Sequence, residues 1–118
     1  MKDESEVSVL YVSSHPNKYL LKSFEEEKLK EKGIKITIVA HTEEADILIK
    51  RPTKFIVVIV DTVPRGSEKA AEWQDRGADV IKLFDNRKDW YTRFPSFSKC
   101  SLSENAKYIS AMILGLKK

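Results

Sequence analysis

A continuous apolar run, Phe55 to Val60 (FIVVIV), most strongly limits the folds open to this chain. Pro52 precedes the run, and a turn sequence beginning at Asp61 follows it. A short apolar run bounded by turn residues is typical of a strand that is covered on both faces, as in parallel sheets with helices packed on each side. The run therefore predicts the centre of the sheet in an α/β domain.

Strand patterns recur elsewhere in the chain, and helical patterns separate them. The other predicted strands are Val7–Val12, Ile34–Val39 and Val80–Phe84. The predicted helices are Asn17–Lys32 with Pro16 at its start, Thr42–Lys50 capped by Thr42, Ser67–Arg76 capped by Ser67, and a last helix from about Ser103. This alternation predicts a three-layer flavodoxin-like or Rossmann-like α/β sandwich of four or five mostly parallel strands.

The stretch 42–50 allows two interpretations. Ala45, Leu48 and Ile49 fit helical spacing, whereas Ile47–Ile49 could equally form a buried strand. A short helix is the preferred interpretation.

Size and composition predict one cytoplasmic domain that spans residues 1–118. The net charge of +3 is far from that of a dedicated nucleic-acid binder, so no nucleic-acid partner is predicted. A single cysteine, Cys100, excludes an internal disulfide and a zinc site built on paired cysteines. No apolar run approaches the roughly 20 residues of a membrane-spanning helix, so no membrane association is predicted.

Ligands of parallel α/β sheets bind outside the carboxyl ends of the strands, and this rule selects two loops. The first loop contributes the candidate ligand-binding residues Ser13, Ser14, His15 and Asn17. The second contributes Asp61, Thr62, Arg65, Gly66, Ser67 and Glu68. Both loops precede predicted helices, whose first N–H groups favour an anion. The alternative for both is an ordinary turn and helix cap.

The second loop is the better phosphate candidate. Gly66 permits close backbone approach, Arg65 could clamp a phosphate, and Ser67 could hold its oxygens. The chain has four glycines, and neither a dinucleotide fingerprint nor a P-loop is present. No cofactor is therefore predicted.

Catalytic and metal-binding constellations are weak in this sequence. Ser13, Ser14 and His15 are contiguous, and no third member of a triad is identifiable. His15 and His41 lack metal-ligand spacing, so no metal is predicted. Asp61 or Glu68 could serve as the carboxylate of a nucleotide or nucleoside hydrolase, and this alternative leaves open whether the protein is an enzyme.

An aromatic segment precedes the last predicted helix and comprises Trp90, Tyr91, Phe94 and Phe97. It could complete the core, form a subunit or partner interface, or stack bases. The second option predicts a protein partner or a homodimer.

Two family resemblances cover parts of the chain. The runs Arg65–Trp73, Gly77–Phe84 and Asp89–Tyr91 resemble the SLOG superfamily of nucleotide-binding domains over about a quarter of the chain. That resemblance implies a nucleotide-type ligand held by Arg65, Gly66, Ser67, Glu68, Trp73 and Asn105.

The second resemblance is to response-regulator receiver domains. It is carried by Gly77-Ala78-Asp79 before Lys82 and Phe84, and by Asp61 with Pro64 in the place of the phosphoacceptor loop. Ser13 and Ser14 replace the acidic pair that would hold magnesium. This resemblance implies a receiver-like interaction module without phosphotransfer.

The leading hypothesis from the sequence is a small ligand-sensing or regulatory domain that binds a phosphate-bearing small molecule, with a nucleotide favoured. The receiver-like interaction module and the nucleotide or nucleoside hydrolase are the alternatives.

Overall fold

A computed structural model of the protein describes residues 7–50, 55–84 and 95–116. Within them the strands are β1 Val7–Val12, β2 Ile34–Val39, β3 Phe55–Val60, β4 Asp79–Phe84 and β5 Ser96–Ser98. The helices are α1 Lys18–Glu26, α2 Thr42–Ile49, α3 Gly66–Asp75 and α4 Leu102–Leu116. A single 3₁₀ turn, Lys99–Ser101, joins β5 to α4.

The five strands form one parallel sheet in the order β2-β1-β3-β4-β5. This is the flavodoxin-like order, in which the direction of winding reverses between β1 and β3. The predicted fold class is therefore confirmed. The carboxyl ends of β1 and β3 lie side by side, with Val12 paired to Val60.

The sheet carries an apolar core on each face. On one face α1 and α4 cover a cluster that includes Val9, Val57 and Ile109. On the other face α2 and α3 cover Leu10, Val58 and their neighbours. Burial of alternate residues on opposite faces explains why β3 is apolar throughout and why β1 carries apolar or aromatic residues from Val9 to Val12.

Helix α1 is shorter than predicted. It ends at Glu26, and Lys28 adopts a left-handed conformation with φ of 55°. The chain turns there because Leu29 packs fully buried in the core below α1, and its carbonyl accepts from Ile34 N–H. At the other end α1 begins at Lys18, so Pro16 lies outside the helix. Asn17 is the N-cap, and its Oδ1 accepts from the N–H groups of Tyr19 and Leu20.

Strands β1, β2 and β3 have the predicted bounds, the remaining predicted elements apart from α1 differ by about one residue, and one further strand is present. The stretch 42–50 forms the helix α2, which His41 precedes as the N-cap in place of Thr42. Helix α3 begins at Gly66, one residue before the predicted cap Ser67. Strand β5 falls in a segment where no strand was predicted, because three residues with the sequence Ser-Phe-Ser carry no periodicity of their own.

Candidate functional site

The adjacent ends of β1 and β3 bring Ser13 and Asp61 together. Ser13 Oγ donates a hydrogen bond of 2.7 Å to Asp61 Oδ2, although 48 residues separate the two in sequence. Both side chains are buried, and Asp61 is only 3% exposed. The strand order thus joins one residue from each predicted loop.

Lys99 completes this cluster from the end of β5. Its Nζ lies 2.7 Å from Asp61 Oδ1 and donates at 2.9 Å to Thr62 Oγ1. The Thr62 backbone N–H donates to the same Asp61 oxygen at 2.6 Å. Residues that directly follow β1, β3 and β5 therefore meet at the carboxylate of Asp61. We call Ser13, Asp61, Thr62 and Lys99 the Asp61 cluster.

Sequence reasoning missed Lys99 and assigned the receiver lysine to Lys82. In the structure Lys82 lies within β4, is 2% exposed and donates from Nζ to the carbonyl of Leu83 at 3.0 Å. Lys99 is the residue that forms the ion pair with Asp61 in the part of the chain that the structure describes. The usable signal was a lysine directly after a strand at the carboxyl edge of the sheet, but β5 itself was not predicted.

The pKa of Asp61 reflects two opposing effects. Burial of the carboxyl raises its pKa, whereas the hydrogen bonds from Lys99, Ser13 and the Thr62 N–H, with the charge of Lys99, lower it. The lowering effects win, so the pKa of Asp61 lies below its ordinary value. Asp61 is consequently a carboxylate at neutral pH, with its charge compensated by Lys99.

The rest of the first loop is a turn and a helix cap. Ser14 Oγ lies 3.1 Å from His15 Nδ1 on the surface, and the His15 N–H donates to Ser13 Oγ at 3.1 Å. Asn17 caps α1, and its backbone N–H donates to Tyr11 Oη at 2.9 Å. These bonds hold the loop against β1.

The second loop has a left-handed residue, Arg65, with φ of 62°. The Arg65 guanidinium is exposed and forks onto the Glu68 carboxylate at 3.2 and 3.3 Å. A Cβ added to Gly66 would lie 3.1 Å from Val63 Cγ2 and 3.2 Å from Val60 Cγ1. The absence of a side chain at Gly66 therefore serves the close packing of α3 on β3.

A small cavity lies beside this loop. Its volume is about 330 Å³, and its lining includes Thr62, Arg65, Ser67 and Lys82. Those side chains supply hydroxyl and cationic donors of the kind that bind phosphate. The cavity shares Thr62 with the Asp61 cluster.

Two positions that the SLOG resemblance implied as ligand contacts lie on opposite faces of the sheet. Trp73 of α3 is fully buried in the core between the sheet and the helices α2 and α3, where its Nε1–H donates to Asp46 Oδ1 at 3.1 Å. Asn105 lies on α4, which packs on the other face. The sheet separates the two residues, so they do not form one site.

Of the aromatic segment, Phe97 lies in the described part of the chain, and Trp90, Tyr91 and Phe94 lie outside it. Phe97 on β5 is half-buried and meets Tyr108 of α4 edge to face, with 5.9 Å between ring centroids. Tyr108 is 60% exposed. Phe97 and Tyr108 form an aromatic surface that we call the β5–α4 surface.

Among the described residues no group of three or more His, Cys, Asp or Glu side chains is placed to hold a metal ion. No helix within the ranges that the structure describes is long and apolar enough to cross a membrane.

Solved structures of response-regulator proteins are similar to this chain. TrrA from Thermotoga maritima, in complex with Mg²⁺ and BeF, has a TM-score of 0.62 at 24% identity, over 93% of this chain and 98% of that one. HP1043, an orphan response regulator of H. pylori, has a TM-score of 0.66 at 15% identity, over 98% of this chain and 100% of that one. A complex of the histidine kinase ThkA with TrrA has a TM-score of 0.63 at 22% identity, over 93% of this chain and 97% of the matched chain.

No protein-family model matches the sequence, and no curated protein sequence matches it. The structural similarity thus establishes the fold, which is that of response-regulator receiver domains. The receiver resemblance seen in the sequence agrees with these neighbours, whereas the SLOG resemblance finds no support among them.

Proposed function

We propose that this chain is a receiver-like regulatory domain that acts through protein contacts and transfers no phosphoryl group. The observation that carries the proposal is the state of Asp61. One of its oxygens is held by Lys99 and the Thr62 N–H, and the other is held by Ser13. The carboxylate is buried, Lys99 compensates its charge, and residues of this chain donate hydrogen bonds to both of its oxygens.

The residues beside Asp61 support the same proposal. Mg²⁺ binds oxygen ligands and is usually held by one or two carboxylates together with substrate phosphates. At the end of β1 this chain offers the hydroxyls of Ser13 and Ser14, which carry no negative charge. Asp61 is the one carboxylate in the Asp61 cluster, and Lys99 already compensates it. The cluster is thus a poor site for a divalent cation.

The first prediction concerns phosphorylation. When the protein is incubated with Mg²⁺ and acetyl phosphate, we expect its intact mass to remain that of the unmodified chain. Mg²⁺ with beryllofluoride is likewise expected to leave the amide resonances of Asp61 and Lys99 unchanged, because the Asp61 cluster holds a single carboxylate and, among the described residues, no group of three His, Cys, Asp or Glu side chains is placed to hold a metal ion. TrrA serves as the positive control for beryllofluoride.

A phosphoryl mass increase that disappears in Asp61→Asn would overturn this proposal. An increase that persists in Asp61→Asn would report modification elsewhere and leave Asp61 unphosphorylated, as proposed.

The protein contacts are proposed to involve the β5–α4 surface. Tyrosine is enriched at the residues that dominate binding energy, since it buries a large area with few rotatable bonds. Tyr108 is the more exposed member of the pair, and Phe97 supports its ring. A neighbour, TrrA, assembles with the kinase ThkA, which supports a protein partner for this fold. Homodimerisation through the aromatic segment and a cytoplasmic location stay predictions.

A second candidate function rests on the cavity beside Arg65. A phosphate-bearing ligand there would meet the hydroxyls of Thr62 and Ser67 and the charges of Arg65 and Lys82. Arg65 would have to exchange its pair with Glu68 for the ligand, and both side chains are exposed enough to do so.

The second prediction tests this candidate with inorganic phosphate and nucleotides in a thermal-shift titration. If the cavity binds them, Arg65→Asn should raise the dissociation constant by about tenfold or more, because the variant loses a hydrogen bond between charged groups. Asparagine is chosen because it tolerates the left-handed backbone. Arg76→Asn, at a second exposed arginine, is the matched control. A wild-type protein that none of these ligands stabilises would remove the candidate.

A further inference from the structure

A groove of about 980 Å³ lies between α1 and the edge strand β2, at the opposite side of the sheet from the β5–α4 surface. Its apolar floor includes Leu21, Phe24, Ile34, Ile36 and Ile38. We call it the α1–β2 groove. Its volume is at the upper end of the range of ligand pockets in proteins, about 300 to 1,000 Å³.

The groove exists because α1 leaves part of β2 uncovered. Ile34, Ile36 and Ile38 project to the same face of the sheet, since alternate residues of a strand share a face. Ile34 is buried beneath the helix, Ile36 is half-buried, and Ile38 is 43% exposed. The isoleucine row thus emerges from the core toward the carboxyl end of β2.

The backbone of β2 also has an outer edge. The carbonyl of Val39 accepts from Ser13 N–H on the β1 side. Backbone N–H and C=O groups point to alternate sides of a strand along its length, so those of Ile38 and Ile36 point outward. Among the described strands, β2 pairs with β1 alone. A further strand could therefore add to this edge beside the isoleucine row.

The rim of the groove is cationic. Lys18 and Lys22 of α1 line one wall, Lys30 and Lys35 lie toward the beginning of β2, and Glu25 is the single acidic residue in the lining. All four lysines are exposed. The chain as a whole carries only +3, so this surface concentrates positive charge. The same lysines would repel one another in a pairing of two β2 edges, which argues against a second copy of the chain as the occupant.

We infer that the α1–β2 groove binds an extended, acidic segment of a partner protein, which pairs with the outer edge of β2 and places alternate apolar side chains on Ile36 and Ile38. The inference deepens the proposed function, on which it rests for the expectation of a protein partner. The main-chain bonds supply affinity, and the isoleucine floor with the lysine rim supplies specificity.

The probe is a synthetic eight-residue peptide of alternating glutamate and valine, added to the ¹⁵N-labelled full chain. We expect the amide resonances of Ile36 and Ile38 to shift in a saturable manner. Higher salt should weaken binding, because exposed charges are screened. A peptide in which lysine replaces glutamate should not bind. Ile38→Glu should weaken binding of the acidic peptide by about tenfold, because it removes apolar contact and repels the glutamates of the peptide.

Matched controls separate the groove from general effects. Ile47→Glu replaces another exposed isoleucine, on α2, and should leave peptide binding unchanged. Lys22→Glu should weaken binding, whereas Lys107→Glu on α4 should not. Each variant is compared by its urea unfolding curve, so that a folding defect is recognised.

Several outcomes would overturn the inference. One is the absence of saturable shifts at millimolar peptide, and another is equal weakening by Ile38→Glu and Ile47→Glu. A dimer in light scattering that Ile38→Glu abolishes would identify a second copy as the occupant. Saturable binding of laurate to the groove without binding of the peptide would identify an anionic lipid instead. None of these results changes the outcome at Asp61 or at the β5–α4 surface, so the failure of this inference is distinguishable from failure of the proposed function.

Discussion

Replacing Lys99 with methionine is expected to lower the free energy of unfolding by about 3 kcal/mol, because the variant leaves the Asp61 carboxylate buried without its cation. Methionine keeps the length and most of the volume of the lysine stem, so the change isolates the charge and its hydrogen bonds. Urea denaturation at pH 7 measures the effect. Lys107→Met, which removes an exposed lysine of α4, is the matched control and should stay within about 0.5 kcal/mol of the wild type.

The double variant Lys99→Met, Asp61→Asn should be more stable than Lys99→Met alone, since no unpaired charge remains in the core. Equal stability of Lys99→Met and Lys107→Met would contradict the described role of the Asp61 cluster.

The free energy of unfolding should also depend on pH through the Asp61 carboxylate. The pKa of Asp61 is lower in the folded chain than its ordinary value, so the unfolded state binds the proton more readily. The stability that Asp61 contributes is therefore fully present above about pH 4, near the unfolded pKa, and is lost as pH falls through the lower folded pKa. Asp61→Asn should reduce this loss of stability on the acid side.

Replacing Trp73 with alanine is expected to lower the free energy of unfolding by about 4 kcal/mol, in the range for a buried aromatic residue. Trp73 of α3 is fully buried in the core between the sheet and the helices α2 and α3, and its Nε1–H donates a hydrogen bond to Asp46. Trp73→Phe keeps an aromatic ring and should cost less, with the remaining loss reporting the smaller ring and the missing hydrogen bond. Thermal and urea unfolding measure both variants.

This prediction also separates two roles for Trp73. A variant Trp73→Ala with unchanged stability and altered nucleotide binding would restore the ligand-contact role that the SLOG resemblance implied. A large loss of stability in both assays is the expected result for a core residue.

The strands with strong local signals were predictable from the sequence. Val7–Val12, Ile34–Val39 and Phe55–Val60 have the predicted bounds, because each is an apolar or alternating run that ends at turn residues. The helices were predictable in kind, while their ends moved by one to several residues. Leu29 shows why: its burial in the core ended α1 early, and no local pattern reports that contact.

The candidate site was only partly predictable. The rule that loops at the carboxyl ends of strands carry function selected Ser13, Asp61 and Thr62, which the structure does bring together. The rule could not identify Lys99, whose position depends on a three-residue strand at the far edge of the sheet. The aromatic residue Trp73 belongs to the core for a related reason, since its burial depends on how α2 and α3 pack.

The sequence by itself determined the class of fold, because hydrophobic periodicity and turn residues act over a few neighbouring positions and set which segments become strands and helices. The tertiary structure alone decided the order of the strands and therefore which residues share a site. Asp61 meets Ser13 and Lys99 through separations of 48 and 38 residues, and such contacts arise only when the whole sheet assembles and buries the carboxylate with its cation. The exposure of Ile38 on β2 has the same origin, because α1 covers only part of the edge strand beside it.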